Sequence, residues 1–421
     1  MKVLPNGWKT ATIAETCDIL DNKRKPLNSA QRLEMKGLVP YYGANGVVDY
    51  INDYIFDEDL ILMAEDGGNF SEYLTRPIAY QVRGKSWVNN HAHVLRAKPQ
   101  FDQDYLFYSL EHKDIQPVLN GGTRAKLNKS ELEKIELLLP VSFEEQRQIA
   151  TMLTAVDDKL DVIARQIEAT QTLKQGLMQT LFSRGLGTRS SDGTWAPHTH
   201  LHHIDGRELP RAWGAATLGA YIAELRSGVS VNAEDRGLRL GEVGVLKVSS
   251  VQGGRFLPSN HKTVVPMEVD RVAEPVQEGC IIISRANTPT LVGESAYVVK
   301  SCPELFLPDK LWQTRPTIKA HSTRWLAFYL QSPAVRQEVQ KAATGTSGSM
   351  KNISKASLLS IFMPLVPLEE QHHIADLLGA VTSKIDALEA KHRHYQTLKR
   401  GLMQKLLTGE WRVKVDAELA A

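Results

Sequence analysis

Apolar residues recur with helical spacing in two long stretches of the chain. In the first they fall at Ile149, Leu153, Val156, Leu160, Ile163 and Ile167, then at Leu173, Leu177 and Leu181. Steps of four and three are the heptad rhythm of a coiled-coil seam. In the second, Ile374, Leu378, Val381, Ile385 and Leu388 repeat the rhythm, His392 and Tyr395 weaken it, and Leu398, Leu402 and Leu406 resume it. A helix of about 40 residues at 1.5 Å rise is a rod of roughly 60 Å. One apolar stripe on such a rod needs a covering partner, and two rods in one chain supply each other's. The spacing therefore predicts spacer helices over 141–184 and 366–408, paired through these seam residues.

The remaining apolar residues come in short runs bounded by Gly, Asn, Asp and Pro, the pattern of strands joined by turns. LILMA (60–64), PIAYQV (77–82) and HVLRA (93–97) read as strands, and YLFYSL (105–110) opens a helix. Farther on, GVLKVSSV (244–251), CIIIS (280–284) and SAYVVK (295–300) read as strands and WLAFYLQS (325–332) as a helix. Both regions are thus mixed α/β.

The two halves repeat. The segment starting at Glu144, EEQRQIATMLTAVDDKLDVIARQIEATQTLKQGLMQTL, returns at Glu369 with an offset of 225 and 19 identities in 38 positions without a gap. Leu4-Pro5-x-x-Trp8-x-x-x-Thr12 is echoed by Leu209-Pro210-x-x-Trp213-x-x-x-Thr217. Gly122-Thr123 and Gly345-Thr346 each lead to an apolar run ending in Pro140 or Pro364. Between these markers the halves look unrelated. The expected order is a first domain (1–140), a spacer helix (141–184), a linker (185–208) rich in Gly, Ser, Pro and His, a second domain (209–365), a second spacer helix (366–408) and a tail (409–421). Both long repeats end in LKxGLMQ. A glycine inside a helix costs about 1 kcal/mol, so Gly176 and Gly401 suggest a close helix–helix approach or a kink, unless they are glycines tolerated near a fraying end.

A chain of 421 residues, 42% hydrophobic and 23% charged, has ample length for several globular cores. It lacks an apolar run of the length a spanning helix needs, and its first twenty residues hold no signal-peptide core, so a cytoplasmic protein with no membrane is expected. Cys17, Cys280 and Cys302 are scattered, which supports neither a zinc site nor a disulfide framework. Net charge is +2, but residues 1–140 carry 17 basic and 19 acidic side chains while 209–364 carry 18 and 12. A basic face is possible in the second half.

Signatures of catalysis are missing. No GxxxxGK[ST] phosphate loop, no GxGxxG after a strand and no Asn-Pro-Pro-aromatic methyltransferase signature occurs. Pro308-Asp309-Lys310 lacks the further Glu-x-Lys a nuclease would need. His198, His200, His202 and His203 read as a solvated linker rather than a metal site. Three stretches carry recognition chemistry instead. Tyr41-Tyr42-Gly43-Ala44-Asn45-Gly46 combines flat aromatics, an amide and two glycines in one turn, and Asn can bond adenine in a major groove. Asn89-Asn90-His91 is dense in donors and acceptors beside a strand. Ser284-Arg285-Ala286-Asn287-Thr288 follows an apolar run, so a strand end delivers Arg, which reads guanine, together with Asn, which reads adenine. Lys23-Arg24-Lys25 is a basic run fit for phosphates; ordinary connecting turns would explain these stretches as well. Arg124 and Lys310 complete the candidate DNA contacts.

In the order and duplication of these motifs the chain resembles the DNA-specificity subunits of type I restriction–modification systems. The features carrying the resemblance are the twice-used LPxxW, the proline followed by EEQxxIA, the LKxGLMQ ends, YYGANG with VNNHAHVLR, and ISRANTPTLVGESAYV with PDKLW. They span nearly the whole chain. The resemblance implies two target recognition domains separated by two antiparallel coiled-coil helices with a pseudo-two-fold repeat, reading an asymmetric split site on double-stranded DNA. It implies no catalysis and no cofactor in this chain. S-adenosylmethionine, ATP and Mg2+ would sit on two methylation subunits and on restriction subunits. The rival is a non-catalytic coiled-coil scaffold whose two α/β domains bind protein or small ligands.

Overall fold

The structure is a computed structural model that describes residues 4–119, 125–317, 319–345 and 350–413. The chain divides into two units: Met1–Arg165 with Glu389–Ala421, and Gln166–Leu388. Each unit thus combines one α/β domain, the first part of the long helix that follows it, and the last part of the other long helix.

In the first unit a four-stranded sheet holds Cys17–Ile19, Ala92–Ala97, Leu60–Ala64 and Ala79–Val82, in that spatial order. Leu60–Ala64 is apolar at every position and fully buried, as a central strand covered on both faces must be. A second sheet orders Gly46–Ile51, Lys36–Gly43, Lys85–Val88 and Phe56–Asp57, with one parallel pair between Lys36–Gly43 and Lys85–Val88. A helix, Gln103–Glu111, is capped by the Asp102 carboxylate, which accepts from Tyr105 N–H. A two-stranded pair, Trp8–Thr12 with Glu136–Pro140, closes the domain and feeds the first long helix, Phe143–Ser183.

The second unit repeats this plan. Its four-stranded sheet orders Ile222–Ser227, Leu311–Pro316, Ile281–Ser284 and Ser295–Tyr297. A five-stranded sheet contains the matching parallel pair, Gly244–Leu246 with Cys302–Phe306. The helix Thr323–Gln331 is capped by Ser322, and Gly214–Thr217 pairs with Phe362–Leu365 ahead of the second long helix, Leu368–Leu406. Regions that look unrelated in sequence therefore share one topology. One expected strand is shorter: residues 244–251 turn at Lys247, where Ser250 N–H returns to Lys247 C=O.

Both ends of each long helix bury apolar residues in the domain cores. Ile149 and Leu153 join Met403 and Leu406 in the first core; Ile374 and Leu378 join Met178, Leu181 and Phe182 in the second. The helix segments run antiparallel. In the first unit Lys399 Nζ lies 2.9 Å from Asp157, and Arg412, farther along, pairs with Glu145, farther back, at 2.7 Å. Ile163, Ile385 and Leu388 are buried as the heptads require, and Val156, Leu160, Leu177, Val381 and Leu402 are half-buried.

Leu173 and Leu398 are the exceptions. They are 54% and 41% exposed, so neither belongs to a seam. The step of six between Ile167 and Leu173 breaks the heptad, and a 3.5-residue period continued from Ile163 reaches Lys174 instead. Lys174 lays its stem inward with its ammonium over the Phe328 ring at 5.5 Å. Its repeat partner Lys399 bridges Glu111 and Asp157, each at 2.9 Å.

The expected linker is built rather than bare. Thr188–Arg189 pairs with Trp195–Ala196, and Leu201–Ile204 with Arg207–Pro210. His198 lies 3.2 Å from the buried Glu370 carboxylate, which also accepts from Leu186 N–H at 2.8 Å and from Trp213 Nε1 at 2.9 Å. Among the described residues no helix is long and apolar enough to cross a membrane.

Candidate nucleic-acid interface

In each domain the central strand of the four-stranded sheet ends at the same backbone junction. In the first, Glu65 N–H donates to His91 C=O at 2.9 Å and Glu65 C=O accepts from Leu127 N–H at 2.8 Å. In the second, Arg285 N–H donates to Lys310 C=O at 3.0 Å and Arg285 C=O accepts from Ile353 N–H at 3.0 Å. The strand registers agree, since Met63 faces His93 where Ile283 faces Trp312. The stretches VNNHAHV and PDKLW thus occupy equivalent places, as do the turns after LILMA and after IIIS. The domains hold different chemistry at one structural address.

In the first domain the address is an ion network. Arg24 Nη1 lies 2.6 Å from Glu65 and also donates to Ala92 C=O; Lys126 lies 3.1 Å from Glu65. His93, 1% exposed, places Nδ1 2.6 Å from Asp21 and Nε2 2.8 Å from Leu127 C=O. Burial pushes the Asp21 carboxyl up, but the His93 hydrogen bond and charge, Val94 N–H and Arg24 outweigh it and leave it below the ordinary value. Glu65 is held low in the same way, burial being outweighed by Arg24 and Lys126. The ligand atoms of Asp21, Glu65 and His93 lie within 4.8 Å of one another, a spacing a metal could use. Arg24 and Lys126 already supply the positive charge there, so a cation would meet repulsion.

Around this network the first domain's turns are tied together. Asn45 Nδ2 donates to Gly67 C=O at 2.9 Å, His91 Nδ1 meets Asp66 at 2.8 Å, and the Asn89 side chain accepts from His91 N–H at 2.8 Å. Asn45 and Asn90 are exposed and His91 is half-exposed, so side chains from three turns reach one surface. Tyr42 is half-buried and stacks on Tyr80, with centroids 5.9 Å apart.

Three sequence candidates do other work. Tyr41 is 1% exposed, and its hydroxyl accepts from Leu27 N–H at 2.9 Å, so its ring is core. Arg24 is consumed by the ion network, and the Asn89 amide is buried beneath its turn. Lys23 and Lys25 are exposed, Lys25 with its ammonium 5.8 Å above Trp87. Arg124 lies outside the described residues.

In the second domain Ser284 is buried and receives Asn287 Nδ2 at 3.4 Å. Asn287 also caps its own turn, its Oδ1 accepting from Thr288 N–H at 2.9 Å. The turn is clamped from the helix Pro333–Ala342, where Arg336 donates to Val292 C=O at 2.8 Å and Thr290 C=O at 2.9 Å. Thr288 and Lys310 are exposed beside it. Sequence reasoning missed Lys351, which pairs with Asn287 across a two-stranded ribbon, and Lys126 in the first domain. Both stand within two residues of the apolar residue that docks on the junction, Leu127 or Ile353.

The family model for the type I restriction modification DNA specificity domain matches residues 5–171 and 241–395. The chain is 26% identical over 438 residues to the type I restriction enzyme MjaVIII specificity subunit of Methanocaldococcus jannaschii, covering 98% of this chain and 94% of that one. It is 36% identical over 149 residues to S.HindORF215P of Haemophilus influenzae, 35% of this chain and 37% of the relative. Its fold is shared with the S subunit of the type I restriction–modification system from M. genitalium, with a TM-score of 0.62, 16% identity and 99% of each chain covered. The chain belongs to the type I restriction–modification DNA specificity family. Its role is specificity within such a system, not catalysis, and membership sets aside the reading as a general scaffold.

Proposed function

We propose that the two domains read the two halves of a split, asymmetric target on double-stranded DNA, each through the turns gathered at its strand-end junction. The observation carrying this reading is the shared junction with exchanged side chains: the compensated Glu65, with Asn90 and His91 at the surface beside it, in the first domain, and Arg285 with Asn287 in the second. One scaffold presenting different donors and acceptors suits two different half-sites, since base edges are distinguished by donor and acceptor pattern. Lys23, Lys25 and Thr288 serve the phosphates, which fix register without reading sequence.

Two methylation subunits dock on the long helices. Support comes from repeat-equivalent positions that stay open: Met152 and Leu377, and Leu173 and Leu398, are 41% to 54% exposed, and a Cβ built on Gly176 or Gly401 meets nothing within 4 Å. Duplicated apolar faces fit two copies of one partner, and the glycines leave room for its close approach. Restriction subunits complete the complex in the cytoplasm, and S-adenosylmethionine, ATP and Mg2+ belong to the partners. A genome-wide map of methylated adenine in cells with and without this gene tests the reading. Loss of methylation at one split asymmetric motif upon deletion supports it, and an unchanged map in cells with active methylation subunits defeats it.

A further inference from the structure

Among the described residues, the half-buried arginines of the second unit are paired with one exception. Arg207, Arg236, Arg255, Arg315 and Arg336 lie against Glu338, Glu242, Asp386, Glu274 and Glu294 respectively. Arg285 is also half-buried, its Nε is sealed from solvent, and among the described residues its guanidinium has neither an ion pair nor a hydrogen bond. A guanidinium never loses its proton in a protein, and a buried donor without an acceptor is costly. At the equivalent position of the first domain the charge is Glu65, and it is fully compensated from within by Arg24 and Lys126. The second domain thus keeps an uncompensated donor at its recognition corner.

The surroundings give that donor an address. Its backbone is fixed on both sides, by Lys310 C=O and by Ile353 N–H. The adjacent turn is held by Arg336 and by Gln340, whose Nε2 donates to Thr290 C=O at 3.1 Å. Lys310 and Lys351 flank it, and neither has a carboxylate partner among the described residues. An arginine fork on a rigid base, with cations on either side, matches the paired O6 and N7 acceptors of guanine between two phosphates.

We infer that Arg285 reads a guanine in the major groove of the second domain's half-site, with Lys310 and Lys351 on the flanking phosphates. This rests on the DNA-reading function proposed above and assigns one base and one side chain to it.

The test uses the chain assembled with its methylation subunits and duplexes carrying its mapped motif. Each guanine of the second domain's half-site, on either strand, is replaced singly by 7-deazaguanine, which removes N7 and keeps the base pair. One position is expected to weaken binding about 10-fold at most, since N7 is one of the two acceptors of a bidentate arginine contact. In Arg285→Ala the parent duplex binds at least that much less well, and the same replacement costs nothing further. A half-site without guanine, or no N7-sensitive guanine with the unaltered chain, overturns the inference without reference to any variant. A sensitive guanine whose penalty survives in Arg285→Ala and in Arg285→Lys also overturns it. Failure of the unaltered complex to prefer any motif would instead remove the DNA-reading function itself.

Discussion

Gln146 and Gln371, 225 positions apart, make the same two hydrogen bonds in the two units. The Gln146 amide donates to Pro140 C=O at 2.9 Å and accepts from Asp102 N–H at 3.0 Å. Gln371 donates to Val366 C=O at 2.8 Å and accepts from Ser322 N–H at 2.9 Å. Each glutamine is 1% exposed, and each joins the chain where the last strand gives way to a long helix, at Pro140 or Val366, to the residue capping the domain's own helix.

Truncating either glutamine to alanine orphans a buried donor and a buried acceptor. Each orphaned group costs about 1–3 kcal/mol. Gln146→Ala and Gln371→Ala are therefore expected to lower the urea midpoint far more than Gln404→Ala at an exposed helical position. Equal midpoints for the three variants would show that the amides do not hold the domains to the helices.

Gly176 and Gly401 sit inside helices, and a Cβ on either meets nothing within 4 Å. Alanine at each position should stabilise the free chain by up to about 1 kcal/mol. Tryptophan there should leave the fold intact while reducing co-elution with the methylation subunit. Undiminished assembly of both tryptophan variants would move the docking face elsewhere on the helices.

Acid should loosen the first unit through Asp21 and Glu65. Both carboxyls are held low in the folded chain. Their contribution is complete above the unfolded values, about 3.9 for Asp and 4.3 for Glu, and is lost as pH falls through the lower folded values. Melting temperature measured from pH 6 to pH 3 should drop at the acid end. The drop should be shallower in Asp21→Asn, which starts lower; a parallel curve would discount the network.

Exchanging residues 209–364 for the corresponding domain of another family member should change one half of the methylated motif and leave the other. Long-read methylation mapping reads the outcome directly, and a change in both halves would contradict the modular reading.

The long helices were legible because burial every 3.5 residues leaves a rhythm in one short segment. Their phase was not: Leu173 looks like a seam residue until Lys174 is seen carrying its stem inward and its charge over Phe328. The strand cores LILMA and IIIS were legible as uninterrupted apolar runs. That they are equivalent strands of equivalent sheets was hidden, since backbone pairing fixes the topology and tolerates any apolar side chain. The ion network escaped because Asp21, Glu65, His93 and Lys126 are far apart in sequence, and Arg24 looked like a surface cation. Gln146 and Gln371 stood in plain view in the EEQ repeat, but only their buried partners reveal what an amide does there.

Each unit closes its core with the end of a helix that begins in the other repeat, and Arg412 completes the first by donating to Asn6 C=O at 2.6 Å. A gene encoding only residues 1–184 would make a chain whose domain lacks that covering helix end. Two such chains would complete one another, each lending its helix end to its twin, and identical domains would then present identical turns at their strand-end junctions. Tandem duplication of such a gene would join the twins into one polypeptide and let each copy mutate alone.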